Sequence, residues 1–201
     1  MTELKINYHL LQKKGTESLE SILEKLLQQG EKELKIISVF MTNGFEFSLM
    51  KKRVLKYKKR FKKVCISKPV LQGRRRIKSF AAFLINEYKL EKNTTYVFVG
   101  HGLPDSKNRE YFKLEKALKK QGFKNAKVFL LKGKSGDFNE LPVDRKITVI
   151  PLLISCGKHI QQDIFGSEDS FCADLESRGF SVEKKIVSLD MSENFKKEFL
   201  K

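Results

Sequence analysis

Two of the three histidines in this 201-residue chain stand directly after apolar runs: His101 in VFVGHG (97–102) and His159 in PLLISCGKH (151–159). Imidazole is a good ligand for borderline transition metals, and it exchanges protons near neutral pH. A pair of such groups can hold a divalent ion or take protons from a substrate. Glu46, two residues after Gly44 in MTNGFEF (41–47), sits after a third apolar run and would add a harder oxygen ligand. Gly100 and Gly102 flank His101 and Gly157 precedes His159, so a flat ligand has room to approach the backbone there. Each residue also has a plainer reading. A strand-end histidine can simply bond a backbone carbonyl, and an acid early in a helix is favoured by the dipole. Taken together, two histidines at two such positions favour the chemical reading.

Other candidates carry less. His9 lies on a helix-like segment ahead of the apolar runs and reads as a surface or packing residue. GKSGD (133–137) lacks the G-x-x-x-x-G-K-[ST] spacing of a phosphate loop, so no nucleotide is expected. Cys65, Cys156 and Cys172 are an odd number without CxxC spacing and read as reduced thiols of a cytoplasmic protein. Cys65 falls in an apolar strand pattern and is expected in the core, and Cys156 reads as a packed thiol. No apolar run approaches the roughly 20 residues of a membrane span, and the first residues are mixed polar, so neither a transmembrane helix nor a signal peptide is expected.

The formal net charge is +17. Between Lys51 and Lys89 there are 15 Lys or Arg and one acid, Glu87, while the rest of the chain is close to balance. The stretch suits a solvated helix face, or a docking surface for a polyanion such as a polycarboxylate ligand. Only Tyr57 and Phe61 interleave with it and no nucleic-acid module is recognisable, so nucleic acid is not the expected partner.

The elements that must position these groups alternate between two periods. Short apolar runs at 34–40, 63–67, 95–100, 126–131, 146–155 and 182–188 read as strands, the continuous ones buried on both faces of a parallel sheet. Helical patterns fill the spaces at 16–29, 45–61, 73–88, 108–121 and 169–178, with a terminal helix at 193–201; Gly30, Gly122 and Gly179 stop three of them. Strands alternating with helices predict an α/β fold of parallel sheets flanked by helices. Two lobes are expected, residues 1–88 and 89–201, joined through 69–93. Open parallel sheets bind ligands at the carboxyl ends of their strands, where both histidines and Glu46 fall.

At these residues the chain resembles the anaerobic sirohydrochlorin cobaltochelatases (CbiK type), relatives of the class II chelatases that include ferrochelatase. VFVGHG is similar to the family's strand and G-H-G turn. PLLISCGKH with QQD and GSEDSF (151–171) is similar to its PLM/L-L-V-A-G-D-H segment and the acidic run that follows. TNGFEF is similar to its I-N-G-D-E-Y segment. The likeness runs from about residue 10 to 189. It implies two pseudo-symmetric lobes, a metal held by His101, His159 and Glu46, and a tetrapyrrole bound near Asn43, Gly100, Gly102, Gly157 and Lys132. The family's opening strand and helix have no counterpart in the sequence pattern, which implies a first lobe missing its first βα unit and a homo-oligomer that compensates for it. Lys132, Lys158 and Asp105 stand where the family has an acid, an aspartate and, in some members, a histidine. Those exchanges suit a ligand rich in carboxylates. The resemblance implies insertion of Co2+ or Fe2+ into an anionic tetrapyrrole without nucleotide. A non-catalytic haem or tetrapyrrole carrier on the same fold is the alternative.

Overall fold

The apolar runs become parallel strands in the computed structural model, which describes residues 1–6, 17–103, 108–133, 136–142, 146–155, 157 and 159–201. His9, Asp105, Cys156 and Lys158 lie outside the described residues. The chain divides into two compact units, residues 1–72 with 197–201, and residues 73–196.

In the first unit β1 (Thr2–Ile6), β2 (Glu33–Ser38) and β3 (Lys63–Ile66) form a parallel sheet in that order. β1 sets Thr2 against Leu34 and Ile6 against Ser38, and β2 sets Leu34 against Val64. Helices α1 (Leu19–Gln28) and α2 (Phe45–Lys56) carry the apolar stripes. Ser18 caps α1, its Oγ accepting from the Ser21 N–H at 2.9 Å and so satisfying one of the four unpaired donors of a helix start. Leu19 and Leu23 of α1 pack with Ile6, Leu34, Ile36, Phe47, Met50 and Val54 as one core.

The first sheet departs from the sequence reading in two ways. TELKI, mixed polar by sequence, is a strand whose Ile6 is fully buried and whose Glu3 is exposed. Polar and apolar residues alternate because one side faces the core, and five such residues are too few to stand out from a polar terminus. Cys65 is exposed, not in the core: β3 is an edge strand in which Lys63 and Cys65 face solvent while Val64 and Ile66 are half-buried. Cys172 is the buried thiol, and its burial pushes the pKa up to about 12.

The second unit opens with α3 (Arg74–Glu87), which the sequence reading grouped with the first lobe. Its Phe80 and Phe83 pack with Phe195 of α6 (Glu193–Phe199), ring centroids 6.2 and 5.8 Å apart. Strands β4 (Thr95–Gly102), β5 (Ala126–Lys132), β6 (Lys146–Pro151) and β7 (Ser181–Lys184) form a parallel sheet in the order β5-β4-β6-β7. Helices α4 (Arg109–Lys120) and α5 (Phe171–Ser177) accompany it, with a π-helix at His159–Ile164 that no sequence period announced. Val97, Val99, Phe129, Ile147, Val149, Ile164, Cys172 and Leu175 form the core on one face.

Among the described residues the first sheet has three strands and the second four, as a shortened first lobe requires. Strands β1, β2 and β3 add in one direction, whereas the second sheet reverses between β4 and β6.

One loop anchor follows from this packing. Asn108 is buried; its Oδ1 accepts from the Leu103 N–H at 2.9 Å and its Nδ2 donates to the Leu103 carbonyl at 3.0 Å. Asn108→Ala removes both partners at once, and it is expected to lower stability by about 1–3 kcal/mol in a urea unfolding titration.

Candidate functional site

In the second sheet β5 follows β4 on one side and the chain then crosses to lay β6 on the other. The strand order therefore reverses between β4 and β6, and the connections leaving their carboxyl ends part there to leave a crevice. His101 is the second-last residue of β4, and His159 opens the π-helix that follows β6. Their rings meet edge to face with centroids 4.7 Å apart. They line a pocket of about 700 Å³ with Leu130 to Lys132 from the end of β5, Asp163 from the π-helix, and Asp169, Phe171 and Asp174 at and beside the start of α5.

Both imidazoles are held at Nδ1. His101 Nδ1 lies 3.0 Å from the Gly102 carbonyl oxygen, to which it donates when it carries the proton. His159 Nδ1 contacts Asp163 Oδ2. Three carboxylates, Asp163, Asp169 and Asp174, share the lining with one lysine, Lys132. Asp174 is also paired with Arg178 at 2.8 Å. Imidazole and carboxylate groups facing a solvent-open pocket suit a divalent cation. Among the described residues no three His, Cys, Asp or Glu side chains converge into a ready metal cage.

The glycines beside His101 have a cause within the fold. A Cβ on Gly100 would sit 2.6 Å from Cε1 of Tyr111, a buried ring of α4. Gly102 has φ +74°, and a Cβ there would lie 2.1 Å from the Lys132 carbonyl oxygen across the β4–β5 pair. Tyr111 also braces the strand end through its hydroxyl: burial pushes the phenol well above its usual range, and a backbone hydrogen bond from Gly102 works the other way. Gly100 and Gly102 thus let β4 lie against α4 and β5, which accounts for them without a ligand. Gly157 differs, because nothing stands within 4 Å of the place its Cβ would take.

The remaining expected site residues fall in the first unit. Asn43 is exposed just before α2, and Glu46 is half-buried in the first turn of that helix, as the plainer reading of that acid has it. The structure thus brings together His101, His159 and Lys132 within the second unit. It adds Asp163, Asp169 and Asp174, to which the sequence assigned no role. Asp163 had a signal, its four-residue spacing from His159. Asp169 lies in the GSEDSF run that resembles the family's acidic segment, but its left-handed backbone (φ +50°) next to the α5 cap is visible only in three dimensions.

The comparisons with known proteins fit this arrangement. The family model of the cobalt chelatases, "Cobalt chelatase (CbiK)", matches residues 2–201. The chain belongs to this family. The match is wider than the likeness seen in the sequence and takes in β1. Among solved structures the chain is similar to SirB from Bacillus subtilis, solved with Fe3+, at TM-score 0.60 and 12% identity, over 92% of this chain and 75% of that one. It is also similar to CbiX, described as the terminal enzyme for biosynthesis of sirohaem in denitrifying bacteria, at TM-score 0.52 and 16% identity, over 84% and 73%. At such identities the likeness establishes a shared fold, with two parallel sheets flanked by helices. No curated protein sequence matches the chain significantly. Among the described residues no helix is long and apolar enough to cross a membrane.

For a cobalt chelatase family member the packing of the G-H-G turn gives a sharp contrast. Gly100→Ala drives a methyl into a buried ring and is expected to destabilise by about 1–3 kcal/mol. Gly157→Ala meets open space and is expected to change stability by less than about 0.5 kcal/mol. Urea midpoints of the two variants against the parent check both.

Proposed function

We propose that this protein is a tetrapyrrole metal chelatase in which His101 and His159 hold the incoming divalent ion. The observation that supports this best is the imidazole pair, 4.7 Å apart at the reversal point of a parallel sheet and bordered by carboxylates. Family membership supplies the reaction class. The balance is simple: a divalent cation enters the macrocycle and two pyrrole N–H protons leave, so total charge is conserved. One imidazole takes a departing proton, a step that imidazole side chains carry out near neutral pH. No nucleotide takes part.

Co2+ is the first choice of metal, after the family, and Fe2+ the second. Lys132 is the cation of the pocket lining and suits a substrate carboxylate, and the open side of Gly157 suits a macrocycle edge. For Asn43 and Glu46 the support is the TNGFEF segment alone. A cytoplasmic setting belongs to the same reading and rests on the reduced-thiol pattern.

Optical titration of the protein with a metal-free sirohydrochlorin-type macrocycle, Co2+, Fe2+ and haem tests the proposal. Time-dependent metallation is expected, lowered about 100-fold or more by His101→Ala and by His159→Ala. A stable Soret shift without turnover would instead make the protein a tetrapyrrole carrier. No tetrapyrrole binding, with steeply salt-dependent oligonucleotide binding, would shift the function to the basic stretch 51–89.

A further inference from the structure

The π-helix after β6 fixes more than the place of His159. Ile160 and Ile164 are fully buried, which pins the segment to the core, and the Phe165 N–H reaches back five residues to the Ile160 carbonyl at 3.1 Å. With those two positions turned inward, His159 and Asp163, each one residue earlier, both face outward and line the pocket. A Cβ on residue 166 would come within 2.5 Å of the Gln162 carbonyl oxygen, so Gly166 lets the chain leave the wide turn without pushing it open. Ser170 closes the exit: its hydroxyl donates to the Gly166 carbonyl at 2.7 Å and accepts from the Ala173 N–H at 3.1 Å. Backbone and core packing together thus hold the carboxylate of Asp163 against Nδ1 of His159.

We infer that Asp163 is the positioning residue of the metal site: by accepting the Nδ1–H of His159 it fixes the tautomer whose Nε2 carries the lone pair, and it sets the ring so that Nε2 addresses the ion. A carboxylate can only accept from a neutral imidazole, so the proton is held at Nδ1 and the donor pair is left at Nε2. Partners of this kind orient ligating histidines and raise their basicity, and losing one typically weakens metal binding about 10–100-fold. His101 has a neutral backbone carbonyl in the same role. At Nδ1 the two imidazoles thus meet unlike partners, and the one at His159 is a side chain that substitution removes. This inference rests on the reading of His159 as a metal ligand. It adds that Asp163 acts through the ring and not on the ion itself.

Two measurements test it. Nitrogen-15 NMR of the metal-free protein reads the tautomer directly. His159 is expected as the Nδ1–H form in the parent and as a mixture in Asp163→Ala, with Asp163→Glu restoring the parent signature. Co2+ titration, followed by its visible absorption, is expected to show affinity weakened about 10–100-fold in Asp163→Ala and largely recovered in Asp163→Glu, with an unchanged thermal midpoint. An Nε2–H tautomer in the parent overturns the inference. So does Co2+ affinity in Asp163→Ala equal to the parent's while His159→Ala abolishes binding. If the parent binds no Co2+ through His159, the chelatase reading fails, and the tautomer measurement still decides the part played by Asp163.

Discussion

The pairing of β4 on both of its edges is the constraint on which the site depends. Tyr96 to Gly102 are in register with Ala126 to Lys132 of β5, and Thr95 to Val99 with Ile147 to Pro151 of β6. A strand enclosed in this way must be apolar on both faces, and all residues from Thr95 to Gly100 are buried. His101 is then the first position along β4 that opens to solvent. Since β4 leads to β5 on one side and β6 to β7 on the other, the connections leaving β4 and β6 diverge above that position and expose it. Had β6 been added beyond β5, the connection would have covered the end of β4 and the imidazole pair would not form.

Packing to keep β4 so enclosed uses the residues that a chemical reading assigns to the ligand. Tyr111 lies where a side chain on residue 100 would go, and the Lys132 carbonyl where one on residue 102 would go. The G-H-G turn is therefore a solution to close strand and helix packing that leaves one side chain, the histidine, free to vary in chemistry. Electrostatics work on two length scales. The chain carries a large positive charge, a field that favours anions at a distance, yet the lining of the pocket holds three aspartates against one lysine. Within a Debye length of about 8 Å the local carboxylates dominate, so a cation can be favoured in the pocket of a protein that attracts polyanions overall.

How much of this could be read from the sequence depended on how strongly each feature repeats. Helices α3 and α4 lie within a residue of the expected spans, since apolar stripes over three turns and a terminal cap or glycine leave little freedom. Continuous apolar strands were as clear at their starts, but β6 ends at Pro151, four residues short of the expected span. β1 and β3 were not: each has two sides in different environments and at most five residues, so Thr2–Ile6 passed for a polar terminus and Cys65 for a core residue. Both histidines were legible because a rare residue at the end of an apolar run is conspicuous. The carboxylates were not, because aspartates are common near helix starts, and what sets Asp163 apart is a π-helical turn stabilised by core contacts at Ile160 and Ile164.

The difference between the two sheets has a consequence for how function is divided. In the second, the order β5-β4-β6-β7 reverses once and so creates a crevice. In the first, β1-β2-β3 add in a single direction among the described residues, and a sheet built that way has no reversal and no crevice of this kind. The first unit keeps a core of its own around Ile6, Leu23, Leu34 and Met50. The two sheets therefore differ at the level of side chains: the paired imidazoles and the three aspartates beside them collect in the second unit. The first unit, whose α2 and the turn after it hold most of the lysines of the 51–63 run, supplies the greater part of the positive field.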